Sequence, residues 1–466
     1  MKKIIFYDLE TTGRSAHWDQ IIQIAAICTD EDFNILDKIN LTGKLNSFSL
    51  PDPEALLVNR IPIEKIYKSN LSNYELVSEV HNKFNEWSPA IFIGYNSILF
   101  DEEVLRNAFF KNLYDPYLTV KNKNIRVDLL DITRIANFFY PDKIKSLLNK
   151  KGTSILKLES IAHTNGIKNF TAHDAMGDTF ASLELAKLIK SQIPELWEKS
   201  INQSNKNELE QVISSQPFCY LESFFGKAEL FCLSFVDFHP TYRWALCFNL
   251  LEDPTRVLDM DQSDLYSFLE NSPKKIRKLK LNKSPILLNI NIRKDLEDYN
   301  NISDQVLMER HNFITTNKDF KNKILSCYSD VINNESQIDI YAEETIYTKF
   351  ISNSDNLLMK NFQKYAWSDR YQIINKFKDE RLKYFAQLLF FEEKPELLEK
   401  KDLYKIKNHL KERLLSTNKE KWLTINECYK KIDDLRAKYD NNNKENLLIL
   451  DEINKYIENL EKKHNV

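Results

Sequence analysis

Several features that would classify the chain at once are missing. Six cysteines (Cys28, Cys219, Cys232, Cys247, Cys327 and Cys428) are scattered over 466 residues, and none forms a C-x-x-C pair. That excludes a zinc knuckle or a disulfide frame and fits buried thiols in a reducing compartment. No apolar run approaches the length of a membrane span. The opening Met1-Lys2-Lys3-Ile4-Ile5-Phe6-Tyr7-Asp8 puts an acid where a signal peptide needs its apolar core, so a cytoplasmic chain is expected. The formal net charge is only -3. A polyanionic partner would therefore need a local basic groove or bound metals. Glycine is scarce, at 7 residues, and Asn and Lys are abundant; both read as compositional drift. What remains is an ordinary water-facing balance, 42% hydrophobic and 29% charged, on a chain long enough for two to four domains.

The most informative stretch comes first. Ile4-Ile5-Phe6-Tyr7-Asp8-Leu9-Glu10-Thr11-Thr12-Gly13 is a short β-rich run stopped by a glycine, which predicts a buried strand. Side chains alternate along a strand, so Asp8 and Glu10 leave it on one face. Two carboxylates there repel each other and are costly to bury. The strand end must open to water, or a divalent cation must neutralise them.

Further along, Ile21 to Thr29 and Phe33 to Leu41 predict two more strands of a meander. Ser72-x-x-Glu75 is a capping box opening a helix to about Trp87. Ala90 to Asn96 predicts a buried strand, followed by a helix from Asp101. Helices are expected over Leu129–Phe139, Ser154–His163 and from Asp174 onward. Residues 201–215 are polar and read as a linker or a loosely packed helix. Beyond them Phe218 to Leu221, Ala228 to Asp237 and Ala245 to Leu250 predict a mixed β domain with helices in its later part. From about Ser352 the pattern is helical, including one long helix over Ile373–Phe391. No internal repeat is present.

Two more acidic positions join the first pair. Asp101 ends Gly94-Tyr95-Asn96-Ser97-Ile98-Leu99-Phe100-Asp101. In Ala172-His173-Asp174-Ala175-Met176-Gly177-Asp178, Asp174 can cap the helix, leaving His173 on the turn before it and Asp178 one turn in, both able to face one site. Singly, each has an ordinary structural explanation. Together and in this order they resemble the His-containing (DEDDh) branch of the 3′→5′ exonuclease superfamily. Longer stretches, among them Gly94 to Arg106, Phe109 to Tyr117 and Val127 to Asp131, are similar to the bacterial exodeoxyribonuclease I family. So are Lys157 to Ile167, Phe238-His239-Pro240 and Asn282 to Pro285.

The resemblance implies a fold and a chemistry. The fold is an α/β ribonuclease-H-like exonuclease domain (1–200), a linker (201–215), a mixed SH3-like β domain (216–348) and an all-α C-terminal domain (349–466). The activity is removal of 5′-mononucleotides from the 3′ end of single-stranded DNA, in DNA repair and recombination. Two Mg2+ ions, with Mn2+ as a substitute, would be held by Asp8, Glu10, Asp101 and Asp178, and His173 would be the general base. Glu10, Arg106, Tyr117, Arg134 and Lys157 match positions that meet the strand. Lys157 replaces an arginine and loses its bidentate fork. Glu392 and Glu393 stand where the family carries positive charge, which predicts a weaker hold by the helical domain. The two extra domains are expected to retain the strand by enclosing it. The partners implied are single-stranded DNA and single-stranded-DNA-binding protein, the chain itself being a monomer. An RNA-trimming or proofreading exonuclease, or a catalytically silent strand-binding protein, are the alternatives.

Overall fold

A computed structural model describes residues 2–168, 170–203, 205–224, 226–299, 301–329, 341–439 and 443–464. Ser204, in the expected linker, and residues 225, 300 and 330–340, in the expected β domain, lie outside them. The chain divides into two compact units. One comprises Met1–Asn124, Asn169–Leu183 and Asp339–Val466; the other comprises Ile125–Lys168 and Glu184–Ile338.

The first unit is framed by β1 (Lys3–Thr11), β2 (Ile21–Thr29), β3 (Ile35–Thr42) and β4 (Ala90–Gly94), in the order β3-β2-β1-β4. β1, β2 and β3 form the expected antiparallel meander, and β4 joins β1 in parallel. β2 is buried along its whole length, so its run Ile21-Ile22-Gln23-Ile24-Ala25-Ala26-Ile27 carries almost no polar alternation. Helices α1 (Pro53–Asn59) and α2 (Ile63–Tyr67) follow β3, then α3 (Asn73–Trp87) with the predicted Ser72/Glu75 capping box, and α4 (Asp101–Lys111).

The C-terminal helices are not a separate body. Phe362, Phe377, Phe385 and Phe390 share one hydrophobic core with Ile5, Tyr7 and Leu9 of β1 and Phe109 and Phe110 of α4. A second core joins Ile22, Leu56 and Ile66 to Ile425, Ile432, Ile453 and Ile457. Each such side chain contributes about 1.5–3 kcal/mol by burial, so the sheet and the C-terminal helices stabilise each other. A polar clamp adds to this. The Arg413 guanidinium lies over the adjoining rings of Trp18 and Trp422, 4.7 and 4.4 Å from their centroids, and pairs with Glu343 at 2.8 Å.

In the second unit five antiparallel strands run in the order Ile276–Leu279, Ala245–Asn249, Lys227–Phe238, Phe218–Phe224 and Leu287–Asn289. Two expectations need correction here. Residues 206–215, expected as a linker or loosely packed helix, form a helix whose Leu209 and Ile213 are fully buried in the core of this sheet. The helix expected from Ser154 begins at Leu158. Ser154–Ile155 instead pairs with Leu147–Leu148 as a short hairpin. In the first unit, the long helix expected over Ile373–Phe391 is two, Trp367–Ile374 and Glu380–Glu393.

Candidate active site

β1 delivers the first two carboxylates. Asp8 and Glu10 leave one face while Leu9 between them is buried. β2 places Ala25 opposite Asp8 and Gln23 opposite Glu10. The third carboxylate arrives through the turn after β4. A Cβ on Gly94 would lie 2.5 Å from Ser97 Cβ and 3.0 Å from the Tyr7 carbonyl oxygen, so only glycine lets the chain leave the sheet so close to Asp8. Asn96 then takes a left-handed φ of 61°. Asp101 opens α4, is buried, and its Oδ1 accepts from the backbone N–H of Leu9 at 3.2 Å. It therefore pins the peptide between the two strand carboxylates.

The last group sits at the start of the helix Ala175–Gln192. Asp174 caps it as expected: its Oδ2 accepts from Gly177 N at 3.2 Å and its carbonyl from Asp178 N at 2.9 Å. His173 is exposed, has a left-handed φ of 62°, and donates its backbone N–H to Asp178 Oδ2 at 3.2 Å. A Cβ on Gly177 would stand 2.0 Å from the Thr171 carbonyl oxygen, so this turn is closed too tightly for any other residue.

One oxygen each of Asp8, Glu10 and Asp178 lies within 4.8 Å of the others. The electrostatics follow from the crowding. Burial, then the charges of Asp101, Glu10, Asp178 and Asp174, hold the Asp8 carboxyl well above its usual range. Burial, then Asp178, Asp101 and Asp174, push Glu10 up to about 9. Such a cluster keeps protons at neutral pH unless a cation replaces them. Three convergent carboxylate oxygens are the donor set of a hard divalent ion such as Mg2+ or Mn2+.

Two contributors were not legible in the sequence. Asp174 is read there only as a cap, yet its charge raises both strand carboxyls. Gln23, opposite Glu10, donates to Asp174 Oδ1 at 3.0 Å and so ties β2 to the helix start. The available signal was one amide inside an otherwise apolar strand.

The profile of the exonuclease family matches residues 5–186, that of the exonuclease I SH3-like domain 204–330, and that of the exonuclease I C-terminal domain 340–460. The chain is 30% identical over 402 residues to exodeoxyribonuclease I of Buchnera aphidicola from Schizaphis graminum, covering 81% of this chain and 80% of the relative. The chain belongs to the exodeoxyribonuclease I family. Two solved structures share its fold. Exonuclease I of Methylocaldum szegediense has a TM-score of 0.86 at 23% identity, over 99% of this chain and 100% of that one. Escherichia coli exonuclease I in complex with a dA16 oligonucleotide has a TM-score of 0.85 at 24% identity, with the same coverage. As a member of the exodeoxyribonuclease I family the chain is a nuclease. Its three-part order of exonuclease, SH3-like and C-terminal helical domains is the one expected from sequence.

The residues expected to meet the strand are placed unevenly. Arg106 is buried and its Nε donates to the fully buried Glu102 at 2.9 Å. Its guanidinium lies 5.4 Å from the ring centroid of Tyr117, which is half-buried. Arg106 thus braces Tyr117 and α4 from inside. In the second unit, Arg134 pairs with Asp131 at 2.6 Å, and Lys157 is exposed at the N-cap of the helix Leu158–Thr164. Glu392 and Glu393 have partners inside the first unit. The Glu392 carboxylate accepts from the backbone N–H of Ser47 at 3.0 Å and its hydroxyl at 2.8 Å, and Glu393 accepts from Ser72. The pair holds the loop after β3 and the start of α3, so its charge is committed within the first unit.

Proposed function

We propose that the chain is a 3′→5′ exonuclease that hydrolyses single-stranded DNA to 5′-mononucleotides, with two Mg2+ ions at the carboxylate cluster. The observation that carries this reading is the convergence of Asp8, Glu10 and Asp178 oxygens within 4.8 Å beside an exposed His173. When bound, the two ions would supply activation of the attacking water and neutralisation of charge on the phosphate. Asp8, Glu10 and Asp178 would hold one of them directly. Asp101, whose Oδ1 is engaged by Leu9 N, orients the strand end and would contribute to the second site together with Asp8. His173 takes the proton from the attacking water. Its exposure and its backbone bond to Asp178 support this role. Glu10, Tyr117, Arg134 and Lys157 are the substrate contacts in this reading. Arg106 acts indirectly, by holding Tyr117.

The substrate class is supported by the DNA oligonucleotide bound to the Escherichia coli relative. Among the described residues no helix is long and apolar enough to cross a membrane. A monomer in the cytoplasm, acting in DNA repair and meeting single-stranded-DNA-binding protein, completes the proposal by resemblance. The test is digestion of 5′-labelled single-stranded DNA, RNA and duplex DNA of one sequence with Mg2+. Progressive shortening of the single-stranded DNA with mononucleotide release is the expected result. Preference for RNA would move the chain to the RNA-trimming reading, and binding without cleavage to the silent one.

A further inference from the structure

β2 carries one amide within its apolar run. Gln23, between Ile22 and Ile24, is 1% exposed. A buried carboxamide is costly unless both of its ends find partners. Only one end does. Gln23 Nε2 donates to Asn40 Oδ1 on β3 and to Asp174 Oδ1 at the helix start, each at 3.0 Å. Gln23 Oε1 is buried, and among the described residues no donor meets it.

Chemistry fixes the direction of this amide. Asp174 presents only acceptor oxygens to it, so the NH2 group faces the helix start and the oxygen faces elsewhere. Cross-strand partners share one face of a sheet, and the partner of Gln23 on β1 is Glu10. The unpaired oxygen therefore belongs to the face that carries Asp8 and Glu10, whose oxygens meet one of Asp178 within 4.8 Å. Holding the helix start is not a sufficient reason for the amide. Thr179 Oγ1, on the same helix and fully buried, already donates to the Ala25 carbonyl of β2 at 3.3 Å. An apolar side chain of equal length would fill the space and strand no oxygen.

A buried oxygen without a donor is a place for an ordered water. Beside carboxylates that suit a hard cation, the waters at hand are those of the cation's own shell, since Mg2+ keeps several of them. Such waters are strong donors, and the groups behind them tune the site. We propose that Gln23 is a positioning residue for the metal site: its Oε1 accepts from a water carried by the ion at Asp8, Glu10 and Asp178, while its NH2 group is anchored on Asp174 and Asn40. A plain strut between β2 and the helix would use the NH2 end and leave the oxygen idle. The inference rests on the reading of the cluster as a metal-dependent nuclease site and adds to it an acceptor outside the carboxylate set.

The experiment uses the full chain without DNA and measures binding of Mg2+ alone, and of Mn2+ alone, by calorimetry at neutral pH. Gln23→Met keeps the volume and loses the oxygen, and its affinity is expected to fall about tenfold to a hundredfold. Gln23→Glu keeps an oxygen acceptor at the same reach and loses the NH2 group, and its affinity is expected to stay at or above that of the wild type. A strut predicts the opposite order, because a carboxylate in place of the amide would repel Asp174 while a thioether would only release it. Asn40→Ala, at an exposed position, removes one acceptor of the NH2 group and should leave metal affinity unchanged. Thermal unfolding in EDTA checks each variant. Wild-type affinity in Gln23→Met, weakened affinity in Gln23→Glu, or an equal loss in Asn40→Ala overturns the inference. Should Gln23→Met fail to fold, Gln23→Glu decides: affinity kept upholds the acceptor role and affinity lost overturns it. Mononucleotide release from a single strand by the wild type with Mg2+ is scored separately. If the wild type binds Mg2+ and digests the strand while Gln23→Met binds the ion equally well, only this inference falls. A wild type that binds no Mg2+ removes the metal reading itself.

Discussion

At the scale of single residues, the account rests on carboxylates that are uncomfortable without metal. Glu10 is raised from 4.5 to about 9, so between those values the folded chain keeps a proton that the unfolded chain releases. The contribution of Glu10 to the stability of the metal-free protein is therefore fully present below about 4.5 and is lost as pH rises toward 9. Glu10→Gln should flatten that fall and raise the melting temperature in EDTA at pH 8; a wild type whose melting temperature climbs over this window would contradict the crowding. Magnesium affinity should rise with pH over the same range, because each ion displaces protons. His173 is different, since it is exposed and donates its backbone N–H to Asp178. His173→Ala should cut turnover by roughly 10²–10⁴ with Mg2+ affinity, read by calorimetry, nearly unchanged. Loss of Mg2+ binding in that variant would make His173 a ligand.

At the scale of elements, the site depends on two tight turns. Gly177→Ala would drive a Cβ into the Thr171 carbonyl and displace the helix start that carries both Asp178 and His173. Turnover should fall at least a hundredfold while the melting temperature moves little, because the helix keeps its buried face; unaltered turnover would show that this turn does not position the site. The elements themselves were largely readable. β1, β2, α3 and the helix Leu129–Phe139 follow from apolar runs and caps that local chemistry dictates. The bond from Ser47 N–H and O–H to the Glu392 carboxylate was not legible, because nothing local announces a partner 345 residues away. The break between Trp367–Ile374 and Glu380–Glu393 was missed although Asp379 caps the second helix through Arg381 N, a signal hidden inside a continuous apolar pattern. Asp8 with Glu10, and His173 with Asp178, were singled out because each pair lies in one short motif; Asp101 entered through the order of the whole set. Gln23 and Asp174 acquire their roles only when β2 and the helix start meet.

At the scale of the whole molecule, the C-terminal helices are part of the catalytic unit. Phe385 is 1% exposed and packs edge-on against Phe110 of α4 at 5.1 Å. Phe385→Ala should cost about 3–5 kcal/mol of stability, visible as a lowered denaturation midpoint. If it left stability unchanged, the shared core would be wrong. For the same reason a fragment ending near Leu209 would expose the apolar faces of β1 and α4 and could not report on strand retention, which has to be studied in the intact chain. The central claim is that Asp8, Glu10 and Asp178 hold the metal that drives hydrolysis. Its most direct measurement is release of mononucleotide from the 3′ end of a labelled single strand by wild type and by Asp8→Asn, with Mg2+ and with EDTA. Release by the wild type with Mg2+ alone, and none by Asp8→Asn although it stays folded, is the predicted result. Near-normal release by Asp8→Asn, or release in EDTA, would contradict it.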